Sequence, residues 1–341
     1  MGTLWPFLGC FLQNDNIVTT LSLFLGTQVV ESTQLFKGGS VKRFLSIVAL
    51  GMLATQAWAQ ESSTTQSTSK MGKVLENKKF SEDRDITDIK LRAESGSLSR
   101  YSLKFSLSYY GPPVGDITND RQPNPDGSIG NNDTAITGSI SGRYRIDSKS
   151  AVGVGTGMSS LTPFHGSKRT DIKTPFISYD RNARLQTVQM RNSYSASFTT
   201  VQEYLDVGQV GTVGYNNNLV YNLGTSGFAV GLESSFSGFV YNRDYERSDR
   251  SAGRYYLGFY PQVKYNLTDK IDVYSSLAVS FTNPRAREDV WTLHNRTLSG
   301  RLGSGFALTR DVYISGFLNY YPTQLKADST TISLSTVFSI L

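Results

Sequence analysis

Residues 101–109, Tyr-Ser-Leu-Lys-Phe-Ser-Leu-Ser-Tyr, alternate without a break: Tyr101, Leu103, Phe105, Leu107 and Tyr109 fall on one face, and Arg100, Ser102, Lys104, Ser106 and Ser108 on the other. A period of two is the signature of an extended strand with chemically opposite faces. The same alternation recurs along the chain. It sets Ile136, Ile140, Tyr144 and Ile146 against Thr137, Ser139, Ser141, Arg143 and Arg145, and Val188, Met190, Tyr194, Ala196 and Phe198 against Gln189, Arg191, Ser193, Ser195 and Ser197. Twelve such segments are predicted, at 99–110, 134–147, 151–161, 173–181, 186–199, 210–223, 227–241, 253–266, 271–282, 295–308, 311–321 and 329–341. The fourth, with Pro175 near its start, is the least regular. Pro261 lies in mid-strand, where its missing N–H predicts a bulge or a break.

The connections carry a second signal. After even-numbered strands they are short ("SKS", "NAR", "GTS", "LTDK", "TRD"). After odd-numbered strands they are longer and polar, led by "GPPVGDITNDRQPNPDGSIGNND". Tight turns alternating with long loops, on strands whose apolar face ends in aromatics, predict an all-β fold: a single transmembrane antiparallel up-and-down β-barrel of about twelve strands, with both termini periplasmic. Tyr101, Leu103, Phe105, Leu107 and Tyr109 are the expected lipid-facing strip. The last strand, "TISLSTVFSIL", alternates Ile332, Leu334, Phe338 and Ile340. Across residues 99–341 the chain resembles the outer-membrane β-barrel proteins of Gram-negative bacteria, of porin or channel type. The resemblance implies the bacterial outer membrane as location, outer-membrane lipid as surroundings, and recognition of the C-terminal strand by the barrel-assembly machinery. In that family the strand ends on an aromatic; here the last residue is Leu341 and the aromatic is Phe338.

Upstream of the barrel, residues 41–59 read as a secretory signal peptide. Lys42 and Arg43 precede an apolar run from Phe44 to Ala54, and Ala57-Trp58-Ala59 is a small-x-small cleavage pattern before Gln60. Lys37-Gly38-Gly39 reads as a translated ribosome-binding site and Val41 as a GTG start, so residues 1–40 are expected to be mis-called upstream translation, absent from the mature protein. The alternative is a genuine extension with an internal anchor, for which the apolar run is short. Residues 60–98 open with a Ser/Thr/Gln tract and continue in charged sequence, expected as a mobile periplasmic tail with room for one short helix.

Composition narrows the chemistry. Removing residues 1–59 takes away Lys37, Lys42, Arg43, Asp15 and Glu31, leaving 31 basic against 26 acidic groups spread along the chain, too diffuse for nucleic acid. Cys10, the only cysteine, lies in the discarded part. No metal motif occurs and no cofactor is implied. Asp116, Asp120, Asp126 and Asp133 of the first long loop lack EF-hand spacing and read as a solvated acidic loop. His165 and His294 are the two histidines; His294 and Ser299 point to opposite faces of a strand, so a catalytic dyad would need Asp289 or Glu288 instead. A rim histidine without catalytic role is the reading adopted: not an enzyme. Gly153, Gly155 and Gly157 of "VGVGTG" line one inward face rather than a nucleotide loop, leaving room for a bulky neighbour, a loop or the N-terminal tail.

With apolar residues facing lipid, the predicted pore lining carries Arg100, Lys104, Arg143, Arg145, Arg191, Lys264 and Arg301 against Glu233 and Asp272, seven basic to two acidic. An uncompensated ring of this kind favours a wet lumen, since unpaired buried guanidinium is costly. The expected function is a passive outer-membrane channel for small solutes with a preference for anions. The alternatives are a structural or surface-interaction barrel with a filled lumen, and an outer-membrane hydrolase.

Overall fold

The computed structural model describes residues 79–81, 84–164, 166–246, 249, 252–286 and 289–340. The signal segment with Ala57, Ala59 and Gln60, together with His165 and Glu288, lies outside the described residues. Twelve long strands make a closed antiparallel barrel: β1 (Tyr101–Pro113), β2 (Ala135–Arg145), β3 (Ser150–Leu161), β4 (Arg169–Leu185), β5 (Val188–Phe198), β6 (Gln209–Asn222), β7 (Phe228–Tyr241), β8 (Gly253–Asn266), β9 (Ile271–Pro284), β10 (Ser299–Thr309), β11 (Val312–Tyr320) and β12 (Thr331–Ile340). Each pairs with its sequence neighbours, and β12 pairs with β1 to close the ring. Closure satisfies every strand edge, the condition for a sheet surrounded by lipid.

The ladder explains the alternation. Phe105 is opposite Ile140 on one side and Phe338 on the other, and the two phenyl rings stack at 4.6 Å across the closing seam. Lys104 is opposite Ser141 and Ser339, on the other face. The outer face is apolar and uncovered: Val154 is 63% exposed, Leu334 51% and Leu302 50%, and Tyr101 and Leu103 are exposed as well. Aromatic contacts punctuate this face, Tyr101 with Tyr144 at 5.4 Å and Phe228 with Tyr265 at 4.6 Å. A continuous outer belt of this kind has no stable place in water but matches a bilayer.

Short turns gather at one end of the barrel and long loops at the other, as the pattern predicts. Several details differ from expectation. The fourth strand runs from Arg169 to Leu185, so "NAR" is strand rather than turn, and the turn is Gln186-Thr187 with Gln186 at φ 53°. The bulge expected at Pro261 is absent. Pro261 keeps its place opposite Leu232, and toward β9 the register passes from Phe259 to Gln262 without a shift, with Tyr260 and Pro261 simply missing from the ladder. The irregularity sits instead at Thr174 (φ 59°), immediately before Pro175, where the β3–β4 register slips. The β9–β10 connection also holds the two-residue strand His294–Asn295 beside β9, so β10 starts at Ser299 rather than 295.

Candidate functional site in the barrel lumen

Of the segment expected as a mobile tail, residues 86–97 are packed inside the barrel. It contains the helix α1 (Ile89–Glu94), whose N-cap Asp88 accepts the Leu91 N–H at 3.0 Å. Ser95 closes the helix, its N–H bonding to the Leu91 carbonyl, and Gly96 turns the chain away at φ +71°. Six residues are too few for a helix to stand alone. The walls hold it. Leu91, fully buried, packs with Ile86 against Val220 of β6 and Ala229 of β7, while Ala93 meets Ala307 of β10 and Tyr313 of β11. Burying one leucine contributes about 1.5–3 kcal/mol. The N–H groups of Thr87 and Asp88 both donate to Gln189 Oε1, at 2.7 and 2.9 Å. These contacts come from two sides of the barrel, β5–β7 and β10–β11, and all lie near the short-turn end.

The basic wall residues meet this segment. Lys104 Nζ donates to the Glu94 carbonyl at 2.6 Å. Arg143 Nη1 and Arg145 Nη2 each donate to the Ser95 carbonyl at 2.6 Å. Arg145 also reaches the carbonyls of Gly96 and Ser97, and Arg310 donates to Gly96 at 3.0 Å. Carboxylates complete the pairing: Asp180 bridges Arg143 at 3.1 Å and Arg191 at 2.8 Å, and Arg191 also faces Glu94 at 3.6 Å. Lys264 pairs with the buried Asp88 and lies 3.8 Å from Asp272, whose carboxylate accepts the Tyr313 hydroxyl. Lys90 bridges Glu94 and Glu233, each at 3.8 Å. Burial acts to raise the Asp88 pKa, but Lys264 and the Leu91 N–H outweigh it, and the carboxyl titrates below its ordinary value. Burial acts to lower that of Lys90, and Glu94 and Glu233 reverse it, so the ammonium is held.

The seven-to-two count is therefore revised: Asp88, Glu94 and Asp180 join the acidic side, and Lys90 and Arg310 the basic. Asp180 lies on the wall, in the strand that Pro175 obscured, and the N-terminal segment brings Asp88 and Glu94. Of the predicted lining, Lys104, Arg143, Arg145, Arg191, Glu233, Lys264 and Asp272 converge on α1 and its flanks. Arg301 stands apart, bonded to Asn319 at 3.2 Å and lying over the Phe317 ring. Arg100 sits just before β1 with its guanidinium over Phe80 at 5.8 Å. Sequence reasoning missed Asp180, Gln189, Arg310 and Tyr313 as partners. The last three were readable only as inward or turn positions, with nothing to say what they would touch.

Between α1 and the loop end, two adjoining cavities of about 560 and 360 Å³ remain. Glu94, Ser106, Asn216 and Glu233 border both; serines of β2, β4 and β5, with Lys104, Asp180 and Arg191, line the larger. Gly153 makes room for the Ser178 hydroxyl, which a Cβ there would approach to 2.7 Å. The loop carboxylates do not converge. Asp116 accepts from Thr118, Asp126 from Ser128, and Asp120 and Asp133 share Lys168. Among the described residues no cluster of His, Cys, Asp and Glu forms a metal site. Asp289 is engaged by the Trp291 N–H and the Thr292 hydroxyl, away from the exposed His294.

A closed barrel with an apolar outer belt and a polar, partly hollow interior defines a transmembrane β-barrel. Its fold is similar to that of the COG4313 outer membrane channel of Pseudomonas putida F1 (13% identity, TM-score 0.45, covering 72% of this chain and 98% of that one). It is also similar to the NanC porin (9%, 0.40, 70% and 100%) and to the Omp33 outer membrane protein of Acinetobacter baumannii (14%, 0.34, 70% and 98%). No protein-family model and no curated protein sequence matches the chain.

Proposed function

We propose that this protein is a passive outer-membrane channel for small polar solutes, held shut at its turn end by residues 86–97 in this conformation. The carrying observation is the pair of polar cavities above α1. A barrel built only as a scaffold would fill that space with side chains, as packed small barrels do. Here hydroxyls and charged groups border a volume suited to water and a small solute. A preference for anions is supported by the wall itself: Lys104, Arg143, Arg145, Arg191, Lys264 and Arg301 face Asp180, Glu233 and Asp272, an excess of cations wherever the N-terminal segment is not their partner. Short turns toward the periplasm, long loops outward, and recognition of the β12 strand with its Ile332, Leu334, Phe338 and Ile340 by the assembly machinery belong to the same reading.

A filled-lumen structural barrel is the second reading, favoured by the number of bonds that hold α1. Planar-bilayer recordings separate the two. Under the channel reading, deleting residues 84–97 from the refolded 60–341 chain produces stable conductance steps, with a reversal potential on the anion side in a salt gradient. A folded deletion variant that never conducts supports the scaffold.

A further inference from the structure

The bonds that hold the segment are unusual in kind. Four successive backbone carbonyls, Glu94 to Ser97, are met by four cationic side chains from separate places on the wall: Lys104 from β1, Arg143 and Arg145 from β2, and Arg310 from the β10–β11 turn. Neutral amide N–H or hydroxyl donors would have sufficed to cap the carbonyls of a helix end. Guanidinium and ammonium groups are instead the donors suited to oxyanions, and a planar fork such as that of Arg145 fits two oxygens at once. Beside them, Arg191 faces the Glu94 carboxylate at 3.6 Å and Lys264 pairs with that of Asp88. The segment thus presents oxygens, four neutral and two carboxylate sites, to a seat whose donors are all cationic.

We propose that this seat is a binding site for solutes bearing several carboxylate or phosphate oxygens, and that the N-terminal segment is its resident stand-in. A polyanionic solute that has entered from the loop end competes for Lys104, Arg143, Arg145 and Arg191. By taking them it releases the segment and opens the lumen. The coupling needs no separate sensor, because a ligand shifts a two-state equilibrium by its differential affinity for the two states. The vacated wall attracts oxyanions; the occupied one has its cations already paired. This inference rests on the channel reading, but its test does not depend on conductance.

Ser97 is buried, and the mature chain contains no cysteine. Ser97→Cys therefore gives a single thiol whose labelling rate by a small maleimide reports withdrawal of the segment. At matched ionic strength, with the refolded protein in liposomes, citrate or pyrophosphate is expected to raise the labelling rate about tenfold over sodium chloride. In an Arg145→Gln background, basal labelling rises and the anion response shrinks; circular dichroism confirms that the barrel is intact. A response to pyrophosphate alone assigns phosphate chemistry, and to citrate alone carboxylate chemistry. Equal labelling in all three salts overturns the proposal. An anion response from a protein that never conducts would preserve the binding site while removing the channel reading.

Discussion

Gly96 holds a left-handed backbone, φ +71°, directly beneath the Arg143 guanidinium, and a Cβ at that position would collide with the Arg143 side chain. A non-glycine residue in this conformation costs about 1–2 kcal/mol before the collision is counted. Gly96→Ala is therefore expected to loosen the segment without affecting the barrel, read as faster Ser97→Cys labelling at unchanged sheet content. Asp88 and Lys264 are the other sensitive pair, with side-chain exposures of 2% and 8%. Removing one partner of a buried pair costs about 3–5 kcal/mol, whereas removing both costs much less. Lys264→Met alone should release the segment, and adding Asp88→Asn should partly restore it; equal labelling in the single and double variants would argue against the pairing. The pH response follows from the same residue. The Asp88 carboxyl is faced by Lys264 and Lys90, with Asp272 beyond Lys264, and titrates below its ordinary value. Its contribution is complete above that value, about 3.9, and is lost as pH falls through the lower folded value. Loss of this pair is therefore expected to release the segment only below about pH 4, read as Ser97→Cys labelling relative to a free thiol at the same pH. At this scale the sequence was half legible: the inward cations could be read from strand parity, but Asp180 hid behind the disturbance at Pro175, and the partners of Arg145 are backbone carbonyls, which no residue type announces.

The strands were the most legible elements because each stands between two solvents, and period-two chemistry records that directly. Their ends were less so. The β4–β5 turn lies at Gln186, beyond the Asn-Ala-Arg triplet that looked like a turn, and the inward Asn182 stays in the wall, accepting from Ser95 at 3.0 Å. The element that decides access to the lumen, α1, is six residues long, and its apolar face, Leu91 and Ala93, is too brief to register as a pattern. Its stability is tertiary. Leu91→Ala should cost about 2–5 kcal/mol locally, expressed as release of the segment rather than unfolding of the barrel: thermal melting of the sheet is expected to shift little while labelling of Ser97→Cys increases. A large drop in melting temperature would mean that α1 is part of the folding core. At the loop end a different pin operates. Buried Asp249 is held by Arg243 at 2.9 Å and faces Arg285, whose guanidinium also covers the Tyr241 ring at 3.8 Å. Asp249→Ala should make these loops more open to protease without changing segment release.

For the molecule as a whole, the outer belt and the closed ladder are one fact seen twice: alternate residues face lipid, and no edge remains to need water. The hollow interior is what distinguishes this barrel from a packed one, and the same chain supplies both the wall and the plug. Plug and wall contacts are mostly remote in sequence, 48 residues for Ser95 and Arg143, 101 for Asp88 and Gln189 and 214 for Gly96 and Arg310, which is why sequence patterning alone left the lumen as an open question between wet and filled. The lumen is filled at the height of α1 and hollow beyond it. The measurement that bears most directly on this account is single-channel conductance of the 60–341 chain, with and without residues 84–97, in a planar bilayer under a salt gradient. The full chain is expected to be mostly silent, and the deletion variant to show stable steps with an anion-side reversal potential. Equal conductance in the two, or silence from a deletion variant whose barrel is demonstrably folded, would contradict it.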